Sequence, residues 1–117
     1  MKTDADPDGV RVKGTFQNCA GGVTPWGTIL TAEENIQNYF TGVASKLPPE
    51  NAREAASADS FSVGGRLWMW STFDKRFDIN VTPHEFNRFG WIVEIDPYDA
   101  GSVPKKRTAL GRFRHEA

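Results

Sequence analysis

The hydrophobic and polar residues alternate in five segments, which predict five short β-strands. These segments are residues 10–17, 26–31, 66–73, 91–96 and 106–113. Alternation with a period of two is typical of half-buried strands. In the third segment, Trp68 and Trp70 share one strand face, which favours a place in the core over a ligand platform. Frequent turn signals and few convincing helices predict a mostly β fold with antiparallel strands and short helices.

Helical patterns are confined to two places. Residues 31–34, Thr-Ala-Glu-Glu, fit a capping box that would begin a short helix through Ile36, Tyr39 and Phe40. Residues 43–62 contain good helix formers but almost no large apolar residue. We expect this segment to be a mobile insertion that carries at most a short surface helix.

Length and charge limit the function classes. With 117 residues the chain is the size of one small domain, residues 1–117, and its 14 Lys and Arg nearly balance 15 Asp and Glu. Nucleic-acid binding draws on a basic excess that this chain lacks, so we expect no nucleic-acid partner. No apolar run is long enough to span a membrane, no secretory signal opens the sequence, and the single cysteine excludes an internal disulfide.

The candidate chemistry concentrates in residues 17–35. This stretch holds the one cysteine, Cys19, a Gly-Gly turn, a Pro-Trp-Gly corner and the adjacent carboxylates Glu33 and Glu34. A thiolate close to carboxylates can hold a transition metal beside an oxygen-preferring cation such as calcium. The structural alternative is that the glutamate pair belongs to the capping box and that Cys19 is a small buried apolar residue.

Other polar groups are better explained as turns or surface residues. Residues 4–9 imitate the start of an EF-hand calcium loop, but loop position twelve would be Thr15 instead of glutamate, so a turn is favoured. Asp96 and Asp99 fit ordinary turn chemistry, and His84 lacks a second histidine at helical spacing. The basic cluster Lys105–Arg107 is interpreted as the solvated edge of a strand in preference to a phosphate-binding group.

Two longer blocks carry a family resemblance. Residues 14–35, GTFQNCAGGVTPWGTILTAEEN, closely resemble a hallmark segment of the PhoX-type alkaline phosphatases. These are calcium- and iron-dependent phosphomonoesterases exported by bacteria. Residues 88–99, RFGWIVEIDPYD, and then 104–116, PKKRTALGRFRHE, resemble the next signature of the family in the expected order.

The resemblance implies a set of metal ligands. The cysteine of the Asn-Cys-Ala motif is an iron ligand in the family, which gives that role to Cys19. The Glu-Glu-Asn and terminal His-Glu motifs are associated with the metal cluster, which implies Glu34, Glu116 and Glu33 as further ligands. It implies iron and calcium as cofactors and a phosphate monoester as substrate. The catalytic residues are left unknown, because no side-chain nucleophile is required.

The resemblance also implies a β-propeller, and the chain length conflicts with a closed one. Four-stranded blades take about 40–50 residues each, so this chain supplies only about two blades, whereas a ring needs at least four. We therefore expect a fragment or shortened relative, inactive alone, whose exposed strand edges pair with a second copy. The full-length protein would be periplasmic or secreted. The alternative is a non-catalytic, β-rich structural or binding module.

Overall fold

The computed structural model describes residues 1–65 and 67–116 and divides them into two compact units. Residues Met1–Lys13 and Ile36–Arg88 form the first, here called the helical unit. Gly14–Asn35 and the chain from Phe89 onward form the second, here called the sheet unit. In the described residues no helix is both long enough and apolar enough to cross a membrane.

The sheet unit contains one four-stranded antiparallel sheet. Its strands are β1 (Asn18–Val23), β2 (Ile29–Glu33), β3 (Ile92–Ile95) and β4 (Lys105–Lys106), in the spatial order β1-β2-β3-β4. Three antiparallel ladders join neighbouring strands, so β1 and β4 are the edges. The short helix Thr108–Leu110 follows β4.

Apolar side chains of the central strands and of the segments that flank them form the core of the sheet unit. Ala32 of β2 and Val93 of β3 are buried, and the ring of Phe16 stacks on that of Phe89 with 4.2 Å between centroids. Burying such apolar surface is the main favourable term in folding. This core lies next to Glu33, the last residue of β2.

The helical unit consists of short helices and turns around a phenylalanine core. Its 3-10 helices are Ile36–Tyr39, Ala44–Lys46, Pro49–Asn51, Trp70–Thr72, Lys75–Phe77 and Phe86–Arg88. One α-helix, α1 (Ala52–Ser60), buries only Ala58, as a short surface helix should. Phe40 lies at the centre, with its ring centroid 5.4 Å from those of Phe77 and Phe86.

A buried ionic cluster fixes the first residues of the helical unit. Arg88 donates to the carboxylate of Asp6, to the carbonyl of Arg11 and to Thr3 Oγ1, and it lies 3.5 Å from Glu85. Burial raises the pKa of Asp6, but hydrogen bonds from Arg11 and Arg88 outweigh it, and the net pKa is lowered. The aspartates of residues 4–9 thus form a turn, as predicted in preference to a calcium loop.

Two of the predicted strands are wrong. Residues 10–17 make no ladder, because Gly14 and Gln17 take positive φ values of 86° and 49°, and β1 begins only at Asn18. Residues 67–73 contain a 3-10 helix instead of a strand, after a left-handed Met69 at φ 54°. Arg66, which also belonged to that predicted strand, lies outside the described residues.

Tyr39 explains why Trp68 and Trp70 fit the sequence pattern of a strand although they do not lie in a strand. Trp68 and Trp70 both pack edge-on against its ring, with centroids 4.6 and 4.8 Å away. A compact turn therefore places both rings on one neighbour, but the two tryptophans are 38% and 42% exposed, so the prediction that they belong to the core is wrong.

The other strand predictions are confirmed with shifted bounds or shortened. The third observed strand lies within residues 91–96, and β2 begins three residues later and ends two residues later than predicted. The predicted strand 106–113 is wrong beyond Lys106, because residues 108–110 form a 3-10 helix and Gly111 takes φ 86°. The fold class is mostly β at the level of one antiparallel four-stranded sheet with short helices, and within residues 1–65 and 67–116 that sheet is not a closed propeller.

Candidate functional site

The hairpin of β1 and β2 brings the candidate cysteine close to the candidate glutamates. Asn18 pairs with Glu33, and the backbone N–H of Glu34 donates to the carbonyl of Gln17 at 3.1 Å. At the closed end, residues 24–28 make the turn, with Thr24 N–H donating to Thr28 O at 2.9 Å. The open end of the hairpin therefore carries Cys19 on one strand and the glutamate pair on the other.

A β-bulge presents Cys19 to solvent. Between the pairs Asn18–Glu33 and Gly21–Thr31, β1 has one residue more than β2. Bulges re-aim side chains and are frequent next to functional sites. The Cys19 thiol is exposed, so the alternative of a buried apolar cysteine is wrong.

Glu33 is the most completely bound carboxylate of the predicted set. Its side chain has 0% exposure. Oε1 accepts from Phe16 N–H at 3.1 Å and from Lys106 Nζ at 2.8 Å. Oε2 accepts from the N–H groups of Gly90 and Trp91 at 2.9 and 3.1 Å. Four protein donors thus occupy the roughly four lone-pair positions of a carboxylate.

Glu34 is in a different situation from its neighbour. It is half-buried, and its carboxylate accepts a hydrogen bond from the side-chain amide of Asn35. The capping-box alternative is wrong, since Thr31 lies inside β2, where it pairs with Gly21 and Val93. Glu34 is therefore less buried than Glu33, and a hydrogen-bond donor to its carboxylate is the neighbouring Asn35.

The C-terminal segment approaches the same end of the sheet. His115 N–H lies 3.5 Å from the carbonyl of Glu33, and Phe113 N–H donates to Gly90 O at 3.2 Å. Glu116, the next residue, is exposed. Arg112 supports this segment by donating to Phe89 O at 2.6 Å, and burial lowers its pKa to about 10 despite the opposing charge of Glu33.

The predicted ligands do not form a complete coordination shell by themselves. Among the described residues no three His, Cys, Asp or Glu side chains are grouped so that they could hold a metal ion. The donor types fit iron and calcium, because thiolate suits the softer ion and carboxylate the harder one. On this evidence Cys19, Glu34 and Glu116 can be only part of a ligand set, and Glu33 has its acceptor positions filled.

The remaining polar groups considered from sequence have structural partners. Asp96 and Asp99 accept from the backbone N–H groups of Tyr98 and Gly101, both at 2.9 Å, as turn residues do. His84 Nδ1 lies 3.2 Å from Glu54 Oε1.

The prediction of a solvated basic edge at Lys105–Arg107 fits the exposed Lys105 and Arg107 on the edge of the sheet and is wrong for Lys106. Lys106 is bound to Glu33, and its Nζ also lies 3.9 Å from the ring centroid of Phe89. Arg107 is bound to Glu94. Lys106 is therefore part of the buried pair, whereas Arg107 stays 45% exposed while it binds Glu94.

Sequence reasoning missed a polar cluster on Glu94. Its Oε1 accepts from Thr28 Oγ1 at 2.6 Å and from Trp26 Nε1 at 2.9 Å, and its other oxygen accepts from Arg107. These hydrogen bonds, led by that of Thr28, lower the pKa of Glu94 to about 2. A carboxylate inside the apolar strand β3 was the available signal, but its partner Trp26 is 68 residues away in sequence.

Comparison with known proteins finds a solved structure that shares the fold of this chain. The solved structure described as "Pseudomonas fluorescens PhoX in complex with vanadate, a transition state analogue" is 51% identical, with a TM-score of 0.78 over 98% of this chain. This chain spans only 19% of the length of that protein. No curated protein matches.

The family profile described as alkaline phosphatase PhoX matches residues 1–117. The chain therefore belongs to the PhoX family of alkaline phosphatases.

Proposed function

We propose that this chain is part of a phosphatase that hydrolyses phosphate monoesters with the help of an iron and calcium cluster. The observation that carries the proposal is the 51% identity, over 98% of the chain, to a PhoX protein that holds vanadate. Vanadate is described there as a transition-state analogue, and such analogues bind where catalysis takes place. Exported enzymes predominate in the resembled family, so we also propose a periplasmic or secreted full-length protein.

Three residues of this chain are proposed as metal ligands. Cys19 would give its thiolate to iron, because the bulge leaves that thiol exposed at the open end of the hairpin. Glu34 and Glu116 would give carboxylate oxygens, since one is half-buried and the other exposed at the same end of the sheet. When bound, the ions would supply Lewis-acid stabilisation to the phosphate oxygens.

The chain alone is proposed to be inactive. Its described residues include no group of three potential ligands, so the remaining ligands would come from other parts of a longer protein or from a second copy. The edge position of β1 supports such completion, because an edge strand offers unpaired backbone groups to another strand.

The same observation favours a second candidate. If the described residues carry no complete ligand group because none is needed, the chain is a non-catalytic, β-rich structural or binding module. Iron content and hydrolysis of an aryl phosphate separate the two candidates, since a packing module should show neither.

The decisive test is Cys19→Ala, with elemental analysis for iron and calcium and an aryl phosphate assay. In the full-length protein we expect the substitution to abolish iron binding and hydrolysis. The matched control is Glu50→Gln, at an exposed carboxylate of the helical unit, which should change neither metal content nor rate. Full iron occupancy in Cys19→Ala would refute the assignment of the thiolate.

A further inference from the structure

We propose that Glu33 is a positioning residue of the metal site and not a ligand. Its buried carboxylate, paired with Lys106, ties together the backbone segments beside β1, β3 and β4, and its backbone lies next to Asn18 and His115, the neighbours of Cys19 and Glu116. The inference extends the proposed function, and it depends on that proposal only for the identity of the three ligands.

The first argument is the saturation of the carboxylate. Three backbone N–H groups and one ammonium group lie within 3.1 Å of its two oxygens. To bind a cation, Glu33 would have to release at least one of these donors inside a site with 0% exposure. A buried donor that loses its acceptor is strongly unfavourable, so the ligand role and the observed structure compete.

The second argument is where the four donors come from. Phe16 precedes β1 by two residues, Gly90 and Trp91 lead into β3, and Lys106 is in β4. One side chain at the end of β2 therefore joins the segments next to all three other strands. Charge-assisted hydrogen bonds of this kind are stronger than neutral ones and have defined geometry.

The third argument is what the backbone of Glu33 does. Its N–H donates to Trp91 O at 3.1 Å, and its carbonyl lies 3.5 Å from His115 N–H. It also pairs with Asn18, next to Cys19. Each proposed ligand is thus one residue away from Glu33 or from a residue that Glu33 holds.

Lys106 makes the burial of this charge possible. Its ammonium group is 2.8 Å from Glu33 Oε1, with side-chain exposures of 13% for the lysine and 0% for the glutamate. The ammonium group also lies over the Phe89 ring, 3.9 Å from its centroid. Removing one partner of a buried pair leaves an uncompensated charge, which is why both partners are informative to mutate.

The test measures amide hydrogen exchange on the metal-free chain in Glu33→Gln and Lys106→Met. A glutamine has one acceptor oxygen and one NH₂ group, so it cannot accept on both sides, and two of the four donors lose their partner. We expect exchange to rise by about tenfold or more either at Phe16 or at both Gly90 and Trp91, according to which side of the side chain becomes the NH₂ group. The double variant should show less than the product of the two single effects, because the pair acts as one unit.

Two controls separate positioning from a general loss of stability. The amide of Thr24, bonded to Thr28 at the closed end of the same hairpin, should exchange at its wild-type rate. Glu34→Gln should leave all these amides unchanged while it lowers metal content in the full-length protein. A rise shared equally by Thr24 would assign Glu33 only a global structural role and would overturn the proposal.

The other outcomes are equally decisive. Unchanged exchange at Phe16, Gly90 and Trp91 in a folded Glu33→Gln variant would also overturn it. If Glu33→Gln does not fold, Lys106→Met decides in the same way, because the buried carboxylate then lacks its cation and the segments that hold it should open more often, which raises exchange at the same three amides. Metal retention in both Cys19→Ala and Glu34→Gln would refute the proposed function while the exchange pattern still supported the placement of Glu33.

Discussion

Replacing Phe40 with alanine should remove a large fraction of the stability of the helical unit. Phe40 has 0% exposure, and its ring contacts those of Phe77 and Phe86 with both centroids at 5.4 Å. Phenylalanine-to-alanine changes in a core lose roughly 3–5 kcal/mol, from lost transfer energy and the cavity that remains. Since domains of this size are stable by only about 5–15 kcal/mol, this loss is substantial.

Urea denaturation followed by far-UV circular dichroism measures the effect. With a slope of ~2 kcal/mol per molar urea, a loss of ~4 kcal/mol lowers the midpoint by ~2 M. Phe40→Leu keeps most of the apolar volume but loses the ring contacts, which are edge-to-face with Phe86 and tilted with Phe77, and it should lose no more than about 1.5 kcal/mol.

The matched control is Phe73→Ala, the same chemical change at a ring with 92% exposure. It should alter the free energy of unfolding by less than about 0.5 kcal/mol. Equal losses in Phe40→Ala and Phe73→Ala would refute the assignment of Phe40 to a packed core.

Two further predictions concern charge and backbone geometry. The pKa of Glu94 is lowered to about 2 in the folded chain, so its contribution to stability is present above the unfolded pKa of 4.5 and is lost as the pH falls towards 2. The melting temperature of Glu94→Gln should therefore depend less on pH between these values than that of the wild type. Parallel curves of melting temperature against pH for the two proteins would contradict this prediction. Gly42→Ala should lower the free energy of unfolding by more than about 2 kcal/mol, because at φ 117° an added Cβ would lie 2.6 Å from Ile79 Cγ1. The control Gly27→Ala, at φ 91° with nothing within 4 Å of the added Cβ, should lose only about 1 kcal/mol, from backbone strain alone. Equal chemical-denaturation midpoints for the two variants would count against the close contact.

The sequence predicts local structure well where apolar alternation is continuous and poorly where glycines or aromatic clusters intervene. Trp91–Asp96 is confirmed as containing a strand because Ile92, Val93 and Ile95 leave few alternatives. In residues 10–17 the same alternation fails, since a positive φ at Gly14 stops the ladder before it starts. The periodicity of apolar residues shows which side chains can be buried together, but it does not reveal where a single residue takes a positive φ.

The candidate site shows a similar limit. Residues 17–35 contain a thiolate and two adjacent carboxylates, and the motifs correctly identify the family of the chain. What the motif cannot show is that Glu33 faces four protein donors, because those come from positions 16, 90, 91 and 106. Glu33 ends β2 and Glu34 follows it, so the two adjacent carboxylates have different environments, whose assignment requires the tertiary structure.

The bulged hairpin has a consequence for how this part of the family can vary. Cys19 and Glu34 are linked through the turn at residues 24–28, and the Asn18–Glu33 pair fixes their register. Shifting a strand by a single residue turns every side chain to the other face, and the glycines 21 and 22 have no side chains to oppose such a slip. Selection should therefore conserve the number of residues between Cys19 and Glu34 more strictly than the identity of those intervening residues. Homologues should differ in this segment by substitution and not by insertion or deletion.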